Sequence, residues 1–245
     1  LTVLIDIGNT SIKKCILKNG KFLARKHIDY SKENTQKIIN FFEKDFKNKE
    51  SFLLCSVVPE ISKLIIKNLN KRSLDFDIIN KLFLKSMIDN KVNINELGSD
   101  RIINYLGLKS DYSKTKDFLI IDFGTATTID IIVNNIYLGG VILPGLTTSY
   151  DNLIKSASLL NDFEIKFTKL VYGTNTKNAL LSGSFNGYSH MINGHIKQLQ
   201  KFFNKRFKKI VTGGYGIIFT KNSTTLDYEK DLTFKGLKYY NENFL

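Results

Sequence analysis

The residues whose types and spacing could do chemistry fall first in Leu4-Ile5-Asp6-Ile7-Gly8-Asn9-Thr10-Ser11-Ile12, an apolar strand that ends on a carboxylate and turns at once through Gly, Asn and Thr. A carboxylate at the mouth of a buried strand is costly unless something pairs with it. Gly8, Asn9 and Thr10 offer backbone N–H groups and a hydroxyl in a turn that a phosphate can approach closely. The phrase returns as Ile120-Ile121-Asp122-Phe123-Gly124-Thr125-Ala126-Thr127-Thr128-Ile129. A lone copy also reads as a hairpin turn that uses Asp, Gly and Asn for geometry. Two copies about half the chain apart point to a duplicated domain, with both acidic turns facing one cleft where a nucleotide's phosphates and their cation would sit.

A third acid stands in Leu97-Gly98-Ser99-Asp100-Arg101. Apolar residues at 102, 103, 106 and 108 predict a helix that starts near Gly98. Asp100 then lies in the first helical turn, where the helix dipole favours a carboxylate; it also reads as a plain helix-terminal acid beside Arg101.

The elements that must position these acids are legible as a repeated order. Asn19-Gly20 between alternating apolar runs makes the opening three antiparallel strands. Helical spacing over 34–46 follows a cap expected near Ser31; a strand over 52–58 is stopped by Pro59, and a helix runs over 60–69. The first third is thus βββαβα. Segment 76–87 reads as two short strands. Polar residues 109–116 form the expected junction, so domains are placed at 1–112 and 113–245. The second half opens with strands over 118–122, 125–133 and 136–143. Helices are expected over 146–160 and 176–207, a strand over 210–212, and a mostly helical tail over 232–244. Gly213-Gly214 lets backbone lie against a flat ligand such as adenine, or is simply a strand-to-helix turn. His190 and His195, five apart on a helix, point to different faces and do not suit a metal site.

Composition narrows the class. The chain has 245 residues, 42% hydrophobic and 24% charged, as in globular proteins. No apolar run approaches the roughly 18 uncharged residues of a membrane span, and the opening lacks a basic segment before an apolar one. Cys15 and Cys55, both in apolar runs, fit reduced thiols, so a cytoplasmic protein without membrane partners is expected. The net charge of +13 invites a nucleic-acid reading. The lysines are spread along the chain, however, which fits solvated surface and attraction of small anionic substrates, and no nucleic-acid partner is expected.

No Gly-x-x-x-x-Gly-Lys-Ser/Thr phrase occurs, which disfavours a P-loop kinase. A duplicated βββαβα unit with an Asp-x-Gly-Asn/Thr turn in each half resembles instead the acetate and sugar kinase, Hsp70 and actin superfamily. Within it the chain is similar to type III pantothenate kinases. The resemblance rests on Asp6-Ile7-Gly8-Asn9-Thr10, Gly98-Ser99-Asp100-Arg101, Asp122-Phe123-Gly124-Thr125-Ala126-Thr127-Thr128 and Gly139-Gly140-Val141-Ile142-Leu143-Pro144-Gly145. Gly173-Thr174-Asn175-Thr176, Thr212-Gly213-Gly214 and Asp231-Leu232-Thr233-Phe234-Lys235-Gly236-Leu237 continue it in the family's order. The implied fold is α/β, duplicated actin-like ATPase (ribonuclease H-like) domains with a cleft between them.

The implied reaction is ATP-dependent phosphorylation of the terminal hydroxyl of pantothenate, the first step toward coenzyme A. By similarity Asp100 is the base that takes the alcohol's proton, and Arg101 suits the pantothenate carboxylate. Gly98, Ser99 and Thr176 join these two as substrate-binding positions. Asp6 is implied to hold Mg²⁺ with the ATP phosphates, while Ile7, Gly8, Asn9, Thr10, Ser11, Ile12, Lys13 and Thr125 bind the nucleotide. Lys13 lies two residues beyond Ser11 on the same strand face, placed to neutralise phosphate. Asp122 is assigned a monovalent cation, K⁺ or NH₄⁺, and the family implies a homodimer. The chain departs from the family at 91–95, where Lys91-Val92-Asn93-Ile94-Asn95 replaces an aromatic residue and a Pro, which puts the acceptor pocket wall in question. Two alternatives stand beside this reading: a kinase for another small alcohol, and a non-catalytic relative that regulates by binding DNA or a partner.

Overall fold

The computed structural model describes residues 1–30, 33–48, 50–109, 111–112, 114–157, 160, 163–221 and 223–245. They form two compact units, Leu1–Lys114 with Asp231–Leu245, and Thr115–Lys230. Among them no helix is long and apolar enough to cross a membrane.

The first unit is built on strands β1 (Thr2–Ile7), β2 (Ser11–Lys18), β3 (Lys21–Asp29), β4 (Ser51–Ser56) and β5 (Phe76–Ile78), in the sheet order β3-β2-β1-β4-β5. The β2–β3 hairpin turns on Asn19 and Gly20, both at positive φ (48° and 73°), the conformation an Asn-Gly turn supplies at least cost. β4 and β5 run parallel to their neighbours, so each is reached through a crossover. Helix α1 (Thr35–Lys47) supplies the first and α2 (Pro59–Lys71) the second. The cap of α1 is Asn34, whose side chain accepts from the Lys37 N–H; the expected cap near Ser31 lies outside the described residues. Pro59 is the first residue of α2, where a missing N–H costs nothing. It therefore opens the helix as well as closing the strand.

Period two divides the residues of β1, β2 and β4 between two faces. Val3, Ile5, Ile7, Ile12, Phe52 and Leu54 pack in one core with Ile38, Phe42 and Ile65 of the two helices. Lys14 shares that face and is buried there in an ion pair with Asp45 of α1, its ammonium also donating to the Phe41 carbonyl at 2.5 Å. Burial holds the Lys14 pKa below the ordinary lysine range, against the raising effect of Asp45. Asp6, Lys13 and Cys55 alternate onto the opposite face.

That opposite face is covered by α3 (Ser99–Leu106) and the last helix, α8 (Leu232–Phe244). The two helices approach so closely that a Cβ on Gly236 would land on the Ile103 carbonyl, and one on Gly107 would land on the Leu232 carbonyl. Thr233 of α8 donates to the side chain of buried Asn104, at 2.8 Å. Arg25 grips Asp231 with two bonds of 2.9 and 2.8 Å. Helix α8 therefore packs in the first unit, whereas division at 112/113 had grouped it with the second half. Between β5 and α3 the expected second strand is instead a 3-10 turn, Lys81–Met87.

The second unit repeats the design with β6 (Phe118–Phe123), β7 (Ala126–Val133), β8 (Ile136–Pro144), β9 (Lys208–Thr212) and β10 (Leu226–Tyr228), in the order β10-β9-β6-β7-β8. Read from the opposite edge, this is the first sheet's order strand for strand. β10 is a strand that alternation in the sequence had not marked. Helix α4 (Leu146–Ser156) ends earlier than expected. The long helical stretch resolves into α5 (Thr176–Ser182), a π-helical turn (Gly183–Gly187) and α6 (Tyr188–Phe203). A short helix α7 (Gly216–Thr220) follows Gly213-Gly214.

Replacing Gly236 by Ala should lower unfolding stability by about 1–3 kcal/mol, because the methyl meets a backbone carbonyl that cannot rotate away. Urea unfolding of Gly236→Ala beside the parent chain measures this, and equal midpoints would show that α3 and α8 are not packed as closely as described.

Candidate active site

In the first unit the turn after β1 is tight. The Gly8 N–H donates to the Ser11 carbonyl at 3.0 Å. Tyr30, at the end of β3, donates its phenol to the Gly8 carbonyl at 2.7 Å and its N–H to the Thr10 carbonyl at 3.1 Å. With Gly8's C=O turned toward Tyr30, the N–H of the same trans peptide, that of Asn9, points the other way. Asn9 and Thr10 are exposed at the tip. Ile7 and Ile12 bury their side chains in the core, so only their backbone is left to meet a ligand. No local spacing marks Tyr30, because its contacts with Gly8 and Thr10 come from across the sheet.

Asp6 is 8% exposed. Directly across the β1–β2 ladder stands Lys13, its ammonium 3.7 Å from the carboxylate and half in solvent. The sequence's placement of Lys13 on the Ser11 face thus brings it to Asp6. Burial pushes the Asp6 pKa above the carboxylate range; Lys13 opposes that rise and the charge of Asp100 adds to it. Asp6 and Asp100, a β-strand end and a helix start far apart in sequence, are therefore near enough to feel each other.

Asp100 sits in the first turn of α3, with the Arg101 N–H donating to its Oδ1 at 2.8 Å. Gly98 precedes the helix without capping it, and a Cβ there would collide with Asp100 Oδ1. The carboxylate folds back over the helix N-terminus, which explains why glycine stands two residues ahead of it. Burial raises the Asp100 pKa, opposed by the Arg101 N–H and the Arg101 charge. Ser99 donates to the Ser56 carbonyl at the end of β4, at 2.8 Å. Segment 91–95 is a chain of turns pinned by Asp89 and Asn93 side chains, which accept from Lys91 N–H at 2.9 Å and Asn95 N–H at 3.1 Å.

In the second unit Asp122 closes β6 with Thr128, a hydroxyl, across the ladder. The Gly124 N–H donates to the Ala126 carbonyl at 3.1 Å, a turn one residue shorter than that at Gly8. Gly213, at φ 86°, lies against Asp122: a Cβ would be 2.5 Å from Oδ1. Thr125 is exposed, and its carbonyl accepts from Thr148 of α4 at 2.7 Å. Behind Asp122, Phe123 stacks on Phe219 at 4.6 Å and Phe219 on Phe185 at 5.2 Å. Thr176, at the start of α5, lines a cavity of about 690 Å³ with Leu153, Asn175 and Leu180.

A model of the type III pantothenate kinase family matches residues 2–198. The chain belongs to the type III pantothenate kinase family. It is 35% identical to the type III pantothenate kinase of Pelagibacter ubique over 246 aligned positions, which cover 97% of each chain. A solved Baf family protein from Campylobacter jejuni is 26% identical, covers 98% of both chains and superposes with a TM-score of 0.63. MreB5 of Spiroplasma citri, solved with ADP, is 12% identical, covers 98% of this chain and 96% of its own, and at a TM-score of 0.54 shares the actin-like ATPase fold. As a member of the family the protein is a pantothenate kinase, a phosphotransferase that binds ATP and acts at the first step of coenzyme A biosynthesis.

Both carboxylates in the first unit have folded-state pKa values above the unfolded value of about 3.9. The native state then holds more protons than the unfolded chain in that window, and stability falls as pH rises through it. Asp100→Asn should melt a few degrees higher than the parent at neutral pH, and the gain should vanish below about pH 4, where the carboxyl is protonated in both states. A lower melting point for Asp100→Asn at neutral pH would contradict this account.

Proposed function

We propose that Asp100 is the base that takes the proton of the pantothenate hydroxyl as the phosphoryl group is transferred, and that the Asp6 turn holds the phosphates that supply it. The observation that supports this is that Asp6 of β1 lies on the sheet face covered by α3, the helix that carries Asp100, and that the charge of Asp100 raises the Asp6 pKa. A carboxylate with a raised pKa at a helix start is suited to accept a proton near neutral pH.

The residues divide the work by chemistry. Gly8, Asn9 and Thr10 offer N–H groups and a hydroxyl to the nucleotide's phosphates, and Lys13, half in solvent beside Asp6, adds positive charge there. Thr125 contacts the nucleotide from the second unit. Arg101, Gly98 and Thr176 bind pantothenate, the guanidinium matching a carboxylate in fork geometry. No group of three His, Cys, Asp or Glu able to hold a metal ion occurs among the described residues. A single carboxylate, Asp6, completed by phosphate oxygens is the usual way Mg²⁺ is held in such sites. Asp122 stands opposite Thr128 across the β6–β7 ladder, and a carboxylate beside a hydroxyl suits a hard monovalent cation, K⁺ or NH₄⁺. When bound, these cations offset the charge of the phosphates. Asp6 and Asp122 bind and orient them, and Asp100 holds the transferred proton.

The kinase works in the cytoplasm as a homodimer in this reading, supported by the exposed apolar residues Val171 and Tyr172 beside the Thr176 segment. Solution mass by light scattering tests it, a dimer being expected and a monomer at micromolar concentration counting against it.

Purified protein given ATP, Mg²⁺ and K⁺ should convert pantothenate to 4'-phosphopantothenate, and a panel of other alcohols should be poor acceptors. Asp100→Asn should lower kcat by about 10²–10⁴-fold while leaving ATP affinity within a few-fold. Turnover in Asp100→Asn equal to the parent would remove Asp100 from the role of base. Tyr30→Phe should raise the KM for ATP with little change in the KM for pantothenate; unchanged ATP affinity would show that the phenol does not set the phosphate turn.

A further inference from the structure

Ser99 begins α3 without capping it: the N-cap is Gly98, which has no side chain to accept there. Its hydroxyl is spent elsewhere, donating at 2.8 Å to the carbonyl of Ser56, a residue 43 positions earlier. Ser56 is the last residue of β4, paired in register with Ile7. The next N–H along the chain, that of Val57, donates to the Ile7 carbonyl at 3.1 Å. β5 ends its pairing at Leu54, so the Ser56 carbonyl lies beyond that neighbour's reach. Cys55, the residue before Ser56, faces Asp6 across the β1–β4 pair.

The acceptor is itself held rigidly. Ser56 Oγ accepts the Val58 N–H at 3.1 Å and lies 2.6 Å from the Ser62 hydroxyl oxygen, which is also 2.9 Å from the Val58 carbonyl. The turn between β4 and α2 is thereby stiff, and it presents one carbonyl to one hydroxyl.

From this geometry we infer that Ser99 is a positioning residue for phosphoryl transfer, fixing the helix start that carries Asp100 against the strand ends that carry the Asp6 turn. The inference rests on the proposal that Asp100 is the base. It assigns Ser99 a role different from contact with pantothenate, because its hydroxyl is bonded to the Ser56 carbonyl. Without that bond the first turn of α3 loses its tie to the end of β4, and the carboxylate loses its fixed distance to the phosphate turn. Displacements of about 1 Å in a reacting group cost up to 10²-fold in rate.

The test compares Ser99→Ala, Ser99→Thr and Asp100→Asn in the full chain with ATP and pantothenate. Ser99→Ala should lower kcat about tenfold to a hundredfold, with both KM values within about twofold of the parent; Ser99→Thr, which keeps the hydroxyl, should restore most of the rate. A Ser99→Ala enzyme with parental kcat overturns the inference, and so does one whose KM for pantothenate rises while kcat holds, since that marks an acceptor contact. Should the alanine variant not fold, Ser99→Cys replaces it, a weaker donor expected to give an intermediate kcat, with parental kcat counting against the inference. Failure of the underlying reading is separate: it shows as full turnover in Asp100→Asn, whatever Ser99 does.

Discussion

The cost of taking carboxylates out of water is the constraint on which the first unit depends. Each of Asp6 and Asp100 is pushed above the ordinary carboxylate range by loss of water, and Asp100 pushes Asp6 further. Such a pair persists only where the surroundings leave it no room to separate. The strand register fixes Asp6 beside Lys13 and Cys55, the missing side chain of Gly98 lets the Asp100 carboxylate fold over the helix end, and α8 backs α3 so closely that glycine is needed at the crossing. Packing energy from an ordinary apolar sheet thus offsets the cost of placing these charges.

The duplication shows which parts of that arrangement are general and which belong to one half. Both halves place an Asp at the end of the central strand, followed by a glycine whose N–H closes the turn. Across the ladder, though, Asp6 meets Lys13 while Asp122 meets Thr128. An ammonium in one copy and a hydroxyl in the other leave the two carboxylates in different electrostatic settings on the same backbone. The first turn also carries one residue more, which gives it the exposed Asn9-Thr10 tip.

Much of this was legible in the chain because it is local. Alternation and the Asn-Gly pair specified the first hairpin, apolar spacing placed α3 from near Gly98, and the two Asp-x-Gly turns marked the ends of β1 and β6. What escaped depends on distance. Segment 81–87 has strand-like apolar content but lacks a neighbouring ladder and coils as a 3-10 turn. β10 is only a few residues long and exists because it pairs with β9. Tyr30, Ser56 and Ser62 look like ordinary surface-type residues until the sheet brings them to Gly8 and Ser99. The division at 112/113 read a duplicated sequence as two consecutive blocks, whereas Gly236 and Thr233 reveal their partners only in the packed α3–α8 pair.

That α8 packs in the first unit has a consequence for how the protein is made. The second unit is an insertion, translated whole between the two segments of the first, so a nascent chain can complete the later sheet while the earlier one still lacks its covering helix. Until Asp231 and the residues after it leave the ribosome, the face of β1 and β4 bearing Asp6 has no α8 behind α3. Domains usually mature in the order in which they are synthesised; here the helix that covers the half holding the proposed base is made after the whole of the second unit.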